Sequence, residues 1–289
     1  MATCPALAQE LEPRAYRALP TELNFFVVAY SFSSGNVVMD PSVPLENLEA
    51  EIHSAALAYL RTFGLFGRSA SIAVSAPYVY VSASAKLEGE LVEGSRADWA
   101  DARVHMAVNL LGGPALSLSE FAGFRQRRTL GVGLTVGMPT GQYSSSKLIN
   151  FGANRWGFKP EIGYSSTRGP WIFEFAVGAW LFTANKDGFG GTTKRQDPIW
   201  STQGHLSYNF PGGVWVGLDA NYFAGGRTSV DGVDQNDLQE NSRLGLTLSI
   251  PLKRQHSLKL AVHTGAVTRV GADFDIATIA YSYRWGGGT

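Results

Sequence analysis

Ten ionisable side chains fall on one phase of segments whose other phase is apolar: Arg103, His105, Lys159, Glu161, Glu174, Asp219, Arg243, Lys259, His263 and Arg284. Such groups in a common space select solutes by charge, bind a polar substrate group, or neutralise one another as a structural ladder. His205, with Ser201 and Ser207 on its own strand face, has the residue types of an ester hydrolase. Neighbours two residues apart arise in almost any polar strand face, however, and no G-x-S-x-G elbow is present. The other histidines, His53, His105, His256 and His263, lack the H-E-x-x-H or H-x-H spacing that puts two imidazoles on one metal. No catalytic residue, metal site or cofactor is therefore expected. Asp231, Asp234, Asp237 and Glu240 share one loop without EF-hand spacing and read as a hydrated acidic loop. The glycines of GVGLTVG (131–137) have no strand-to-helix context, and read as relief of crowding in a tight interior.

The elements that position these groups are strands. In SRLGLTLSIPLKRQHSLKLAVHTG (242–265), Leu244, Leu246, Leu248 and Ile250 alternate with small or polar residues, as do Leu258, Leu260 and Val262 after a short basic turn. Period two on both sides of a tight connection is a hairpin pattern. The same reading gives strands at 23–33, 51–63, 69–83, 98–111, 127–138, 156–166, 170–184, 197–210, 214–225, 242–250, 257–268 and 273–285. That is twelve, an even number. Connections sort by parity. Segments 34–50, 84–97, 139–155, 185–196 and 226–241 are long and polar, while GLFGR, TRGP, PGG and PLKRQH are tight. Two depart from the rule: RVGA is short, and 112–126 is longer and has room for a short helix. Long outer loops, short inner turns and both termini on the inner side define a transmembrane barrel. A soluble sandwich has no reason to sort its loops this way.

Composition bounds the alternatives. The chain has 289 residues with 24 Lys+Arg and 24 Asp+Glu, which removes the basic signal of a nucleic-acid binder. One cysteine, Cys4, rules out an intrachain disulfide framework. Mean hydropathy is −0.03, with 45% hydrophobic residues and 33 glycines, and no apolar run reaches membrane-helix length. A barrel that is apolar outside and polar inside averages to the same neutrality. Ala6-Leu7-Ala8 before Gln9 has the small-residue pattern of a leader-peptidase site, so export is expected.

The second phase decides the environment. Bulk water would select long Lys, Glu and Arg, whereas these faces carry glycine, small polar residues and sparse charges of both signs. That suits a crowded lumen, and the apolar rows then face lipid. Tyr78, Tyr80, Tyr164, Tyr208, Phe210, Tyr222, Tyr281, Tyr283 and Trp285 read as interfacial girdles. The fold class is all-β, a closed antiparallel up-and-down transmembrane barrel of about twelve strands. The expected division is 1–8 as the remnant of a signal peptide, 9–22 as a periplasmic or lumenal segment, and 23–286 as one barrel. In strand 23–33 both phases are apolar, so its lumen side stays open.

The stretches EPRAYRALPTELNFF (12–26), DARVHMAVNLLGGPALSLSEF (101–121), GLTVGMPTGQY (133–143), NRWGFKPEIGYS (154–165), GPWIFEFAVGAWLFTAN (169–185) and YRWGGG (283–288) resemble the outer-membrane family named for the MetA pathway of phenol degradation. The resemblance implies a channel for small molecules, including hydrophobic or aromatic ones, and carries no catalytic or ligand motif. The expected partners are outer-membrane lipid, lipopolysaccharide and a small solute, with no nucleic acid and a monomeric state. The rivals are a rim hydrolase on the same scaffold, a soluble or periplasmic lipid-binding barrel, and a structural barrel with a blocked lumen.

Overall fold

The structure, a computed structural model, describes residues 13–38, 45–87, 90–147 and 150–287. Residues 1–8, read above as a leader remnant, lie outside them. The chain forms twelve barrel strands. β1 is Leu23–Val38, β2 Leu45–Leu65 and β3 Arg68–Leu87. β4 runs in two stretches, Glu90–Trp99 and Arg103–Leu111. β5 is Arg128–Gly137, β6 Gly157–Arg168, β7 Trp171–Phe182 and β8 Ile199–Asn209. β9 is Trp215–Gly225, β10 Gln239–Lys253, β11 His256–Thr268 and β12 Gly271–Gly286. Every pairing is antiparallel, and β1 closes on β12 from Leu23↔Gly286 to Val38↔Gly271. Closure pairs the backbone groups that would each cost several kcal/mol unsatisfied in hydrocarbon.

Outward side chains are the apolar rows. Leu244, Leu246, Leu218, Val262 and Phe175 are each about half exposed, as membrane contacts must be when no lipid covers them. Aromatics collect at the two rims, where Tyr78 meets Trp99 edge-on at 5.4 Å, Trp171 meets Tyr208 at 4.8 Å, and Tyr283 stacks on Trp285 at 5.5 Å. Register settles the side left open for 23–33. Residues paired across strands share a face, and Phe26, Val28 and Tyr30 pair with outward Tyr283, Tyr281 and Ile279. Phe25, Val27 and Ala29 therefore face the lumen.

Several strands outrun the sequence expectation. β2 and β3 have 21 and 20 residues, about twice the 9–11 that span a bilayer. With the first stretch of β4 they rise as an arm above the long-loop rim, so 84–97 is largely paired strand. β4 breaks where Pro77 stands opposite: the register passes from Tyr78↔Trp99 to Ser75↔Arg103 with one extra residue. Proline offers no ladder donor, and the chain bulges around it. At the other rim the first turn, Phe66-Gly67, has φ of 48° and 74°, the conformation of a two-residue hairpin loop. The long connection 112–126 holds a helix, α1 (Leu118–Gly123), started by a capping box between Ser117 and Glu120.

Candidate functional site

The lumen has two unlike walls. β12, β1, β2 and β3 form one. Their inward residues include Phe25 and Val27, Ala56, Ala58 and Leu60, Ala73, Val79 and Val81, then Ile276 and Ala280. Among the described residues the one charge on this face is Arg284, and its Nη2 turns to the Arg254 carbonyl (2.9 Å) at the short-turn rim.

β4 to β10 form the polar wall. Lys159 Nζ lies 2.8 Å from Glu161 Oε2, two positions along β6 on one face. Gln203 Nε2 donates to the same oxygen at 3.3 Å. The His205 and Asp219 side chains meet at 2.8 Å across the β8–β9 pair, and the Thr247 hydroxyl donates to the other Asp219 oxygen at 2.6 Å. Asp219 is completely buried, so this acceptor is matched on both oxygens. His105 pairs with the Thr135 hydroxyl at 2.9 Å.

Of the ten residues singled out in the sequence, Arg103, His105, Lys159, Glu161 and Glu174 line one cavity of about 210 Å³, and Asp219 reaches it through His205. The remaining four stand apart. Arg243, 2% exposed, donates to the carbonyls of Phe274 and Ala272 near the long-loop rim, where it braces backbone rather than meeting solute. Lys259 and His263 lie on β11, with His263 packed against Gly245, and Arg284 sits at the rim.

Pattern reading left one part of the site undecided. Residues 13–22 cross the lumen near the short-turn rim as a strap. Arg14 donates its backbone N–H to Glu174 Oε2 (2.6 Å) and its Nη2 to Asn209 Oδ1 (2.8 Å), with its guanidinium 3.8 Å over the Trp215 ring. Tyr16 donates its hydroxyl to Glu161 Oε1 at 2.7 Å. Burial and the nearby Glu161 carboxylate push the Tyr16 phenol well above its ordinary range, so that proton stays in place. The strap then binds the opposite wall: Ser69 donates to the Leu19 carbonyl and Thr62 to that of Pro20.

At the other rim two loops are tied to the barrel and to each other. Gly141 and Ala153 donate backbone N–H groups to the Asp101 carboxylate at 2.9 and 2.8 Å, tying down the 139–155 loop beside the β4 break. Tyr143 joins it to the 185–196 loop through the Asp187 carbonyl. Beneath them Trp180, Ile199 and Phe223 form a buried apolar cluster with Phe182. The acidic loop carboxylates brace backbone separately, Asp237 holding Thr228 and Asp231 holding Thr193.

A closed twelve-stranded antiparallel barrel with an apolar outer band, aromatic rims and a charged interior is an integral outer-membrane protein. More narrowly, the chain belongs to the family described as "Putative MetA-pathway of phenol degradation", whose model matches residues 31–282. Among solved structures it is similar to an outer membrane channel from Pseudomonas putida F1, with a TM-score of 0.82 at 20% identity over 96% of this chain and 100% of that one. The transport unit of the autotransporter AIDA-I from Escherichia coli follows at TM-score 0.54 and 8% identity, covering 96% and 94%. At these identities the likeness is one of fold. No curated protein matches the sequence.

Proposed function

We propose that the protein is a monomeric outer-membrane channel for small molecules that present an apolar face and a polar edge, single-ring aromatic compounds above all. One observation carries this reading: a wall of four successive strands, whose one inward charge among the described residues is Arg284 at the rim, faces a wall of paired charges across one lumen. A charged solute would leave its charge poorly matched against the first wall, and a pure hydrocarbon would gain nothing from the second. The cavity of about 210 Å³ is smaller than the ~300–1,000 Å³ sites of drug-sized ligands, which favours one ring. The outward band sits against lipid and, in the outer leaflet, lipopolysaccharide.

Transport rather than hydrolysis fits the polar wall. Asp219 holds the His205 ring at Nδ1 as a triad acid would, yet the Ser207 hydroxyl has no hydrogen-bond partner among the described residues and does not meet the histidine. A nucleophile needs its base within reach. The test is single-channel recording of the refolded protein in a planar bilayer, paired with solute flux into liposomes. Discrete conductance steps with faster entry of phenol than of a sugar of similar size are expected. A folded, heat-modifiable barrel that passes neither ions nor phenol would overturn the proposal.

A further inference from the structure

The ring of Tyr16 lies on a floor with no side chains. Gly131 and Gly163 are register partners on β5 and β6. A Cβ at Gly163 would fall 2.1 Å from Tyr16 Cδ2 and Cε2, and one at Gly131 2.6 Å from Cδ1. The two glycines thus support opposite edges of one aromatic ring, and no other residue fits at either place. Gly133 continues the floor beneath the hydroxyl, 3.1 Å from a Cβ built there. At the end of this slot Glu161 Oε1 accepts a hydrogen bond from the phenolic hydroxyl, while Lys159 and Gln203 hold its other oxygen. Tyr16 and Glu161 also line the open cavity, so the slot and the cavity are continuous.

Chemically, the Tyr16 side chain is a para-alkylphenol tied to the strap through its Cβ. We propose that the glycine-floored slot is a binding site for a free phenol, its hydroxyl on Glu161, and that Tyr16 is the tethered occupant such a ligand displaces. This rests on the channel reading and specifies it: binding the solute and lifting the strap are one event. The tether gives Tyr16 a high effective concentration at the slot, so the apparent affinity for a free ligand falls by the fraction of time the slot stands empty. The carboxylate selects for a hydroxyl donor. Toluene would fill the same floor and leave Glu161 Oε1 unmatched.

The experiment compares p-cresol and toluene binding by ligand-observed NMR on the purified full-length protein in nanodiscs, with wild type and variants in parallel. Tyr16→Ala is expected to bind p-cresol about tenfold or more tightly than wild type, with no equal gain for toluene. Tyr16→Ala combined with Glu161→Gln loses the preference for the hydroxyl. Tyr16→Ala combined with Gly163→Ala, whose methyl occupies the floor, loses the binding itself. The slot is overturned if Tyr16→Ala leaves p-cresol binding at the wild-type level, or if toluene gains as much. Conductance of the same preparations separates the two readings. A Tyr16→Ala barrel that conducts but gains no p-cresol affinity overturns the slot and keeps the channel. One that gains affinity but passes neither ions nor p-cresol supports the slot and overturns the channel.

Discussion

The two lumen walls are made by different rules. On β12 to β3 the inward positions are mostly alanine, valine, serine and a few larger apolar residues, and apart from Thr62 and Ser69 under the strap, the Ser31–Thr278 pair and Arg284 at the rim they hold no partner in place. On β4 to β10 the charged groups are held by polar neighbours. Asp219 holds His205 and Thr247, Glu161 holds Tyr16, Lys159 and Gln203, and Glu174 holds the strap. A network of this kind is rigid because removing one member strands the rest at low dielectric. The uncharged wall supplies a surface; the charged wall supplies geometry.

That contrast is open to attack by mutation. The largest effect is expected from Asp219→Ala, which leaves His205 and Thr247 without their acceptor and costs about 3–5 kcal/mol, against about 1 kcal/mol or less for Ala56→Ser on the facing wall. Urea unfolding in detergent micelles checks both, and equal costs would erase the distinction. Next comes Ala58→Glu, which puts a charge on the uncharged wall. It should slow phenol flux into liposomes by roughly tenfold, since desolvating a ring against a carboxylate costs about 1–3 kcal/mol. Smaller still are Lys159→Gln and Glu161→Gln, which should move the reversal potential in a salt gradient in opposite directions, the first toward cations and the second toward anions. Shifts of the same sign would show that ions bypass this pair.

The smallest effect belongs to the loop cap. Lys194, buried between Arg155 and Asp237, has its pKa lowered from 10.5 to about 8, chiefly by desolvation. Between those values the unfolded chain binds the proton and the folded chain does not, so stability rises with pH across that window. Thermal unfolding should show a modest gain from pH 8 to 10 that Lys194→Met removes.

The strand count, the closed barrel and the outward rows were legible in the sequence because period two with lipid on one side leaves a clean alternation, as at Leu244–Ile250. The lumen phase of β1 was illegible for a physical reason. Phe25 and Val27 belong to the uncharged wall, so both faces of that strand are apolar and alternation carries no signal. The same ambiguity hid that wall as a whole, since the sequence displays charges and seven of the ten lie on β4 to β10. Six of the ten inward charges belong to the cavity; Arg243, Lys259, His263 and Arg284 share their strand phase but not their height or their place around the circumference, and the residue pattern of one strand encodes neither. Tyr16 was missed because nothing local marks PRAYRALP. The available clue lay far downstream, in the spacing of Gly131, Gly133 and Gly163.

The seam between the first and last strands has a consequence for biogenesis. Leu23 meets Gly286 and Ser31 hydrogen-bonds Thr278 at 2.9 Å, so the cylinder stays open until nearly the whole chain has been delivered. Until then β1 and β12 are long, uncapped edges with apolar flanks, able to pair with any strand they meet. Loop closure over some 250 residues is slow compared with hairpin zipping. The protein's vulnerable period is therefore its transit, and a cell that makes it must shelter both edges until they find each other.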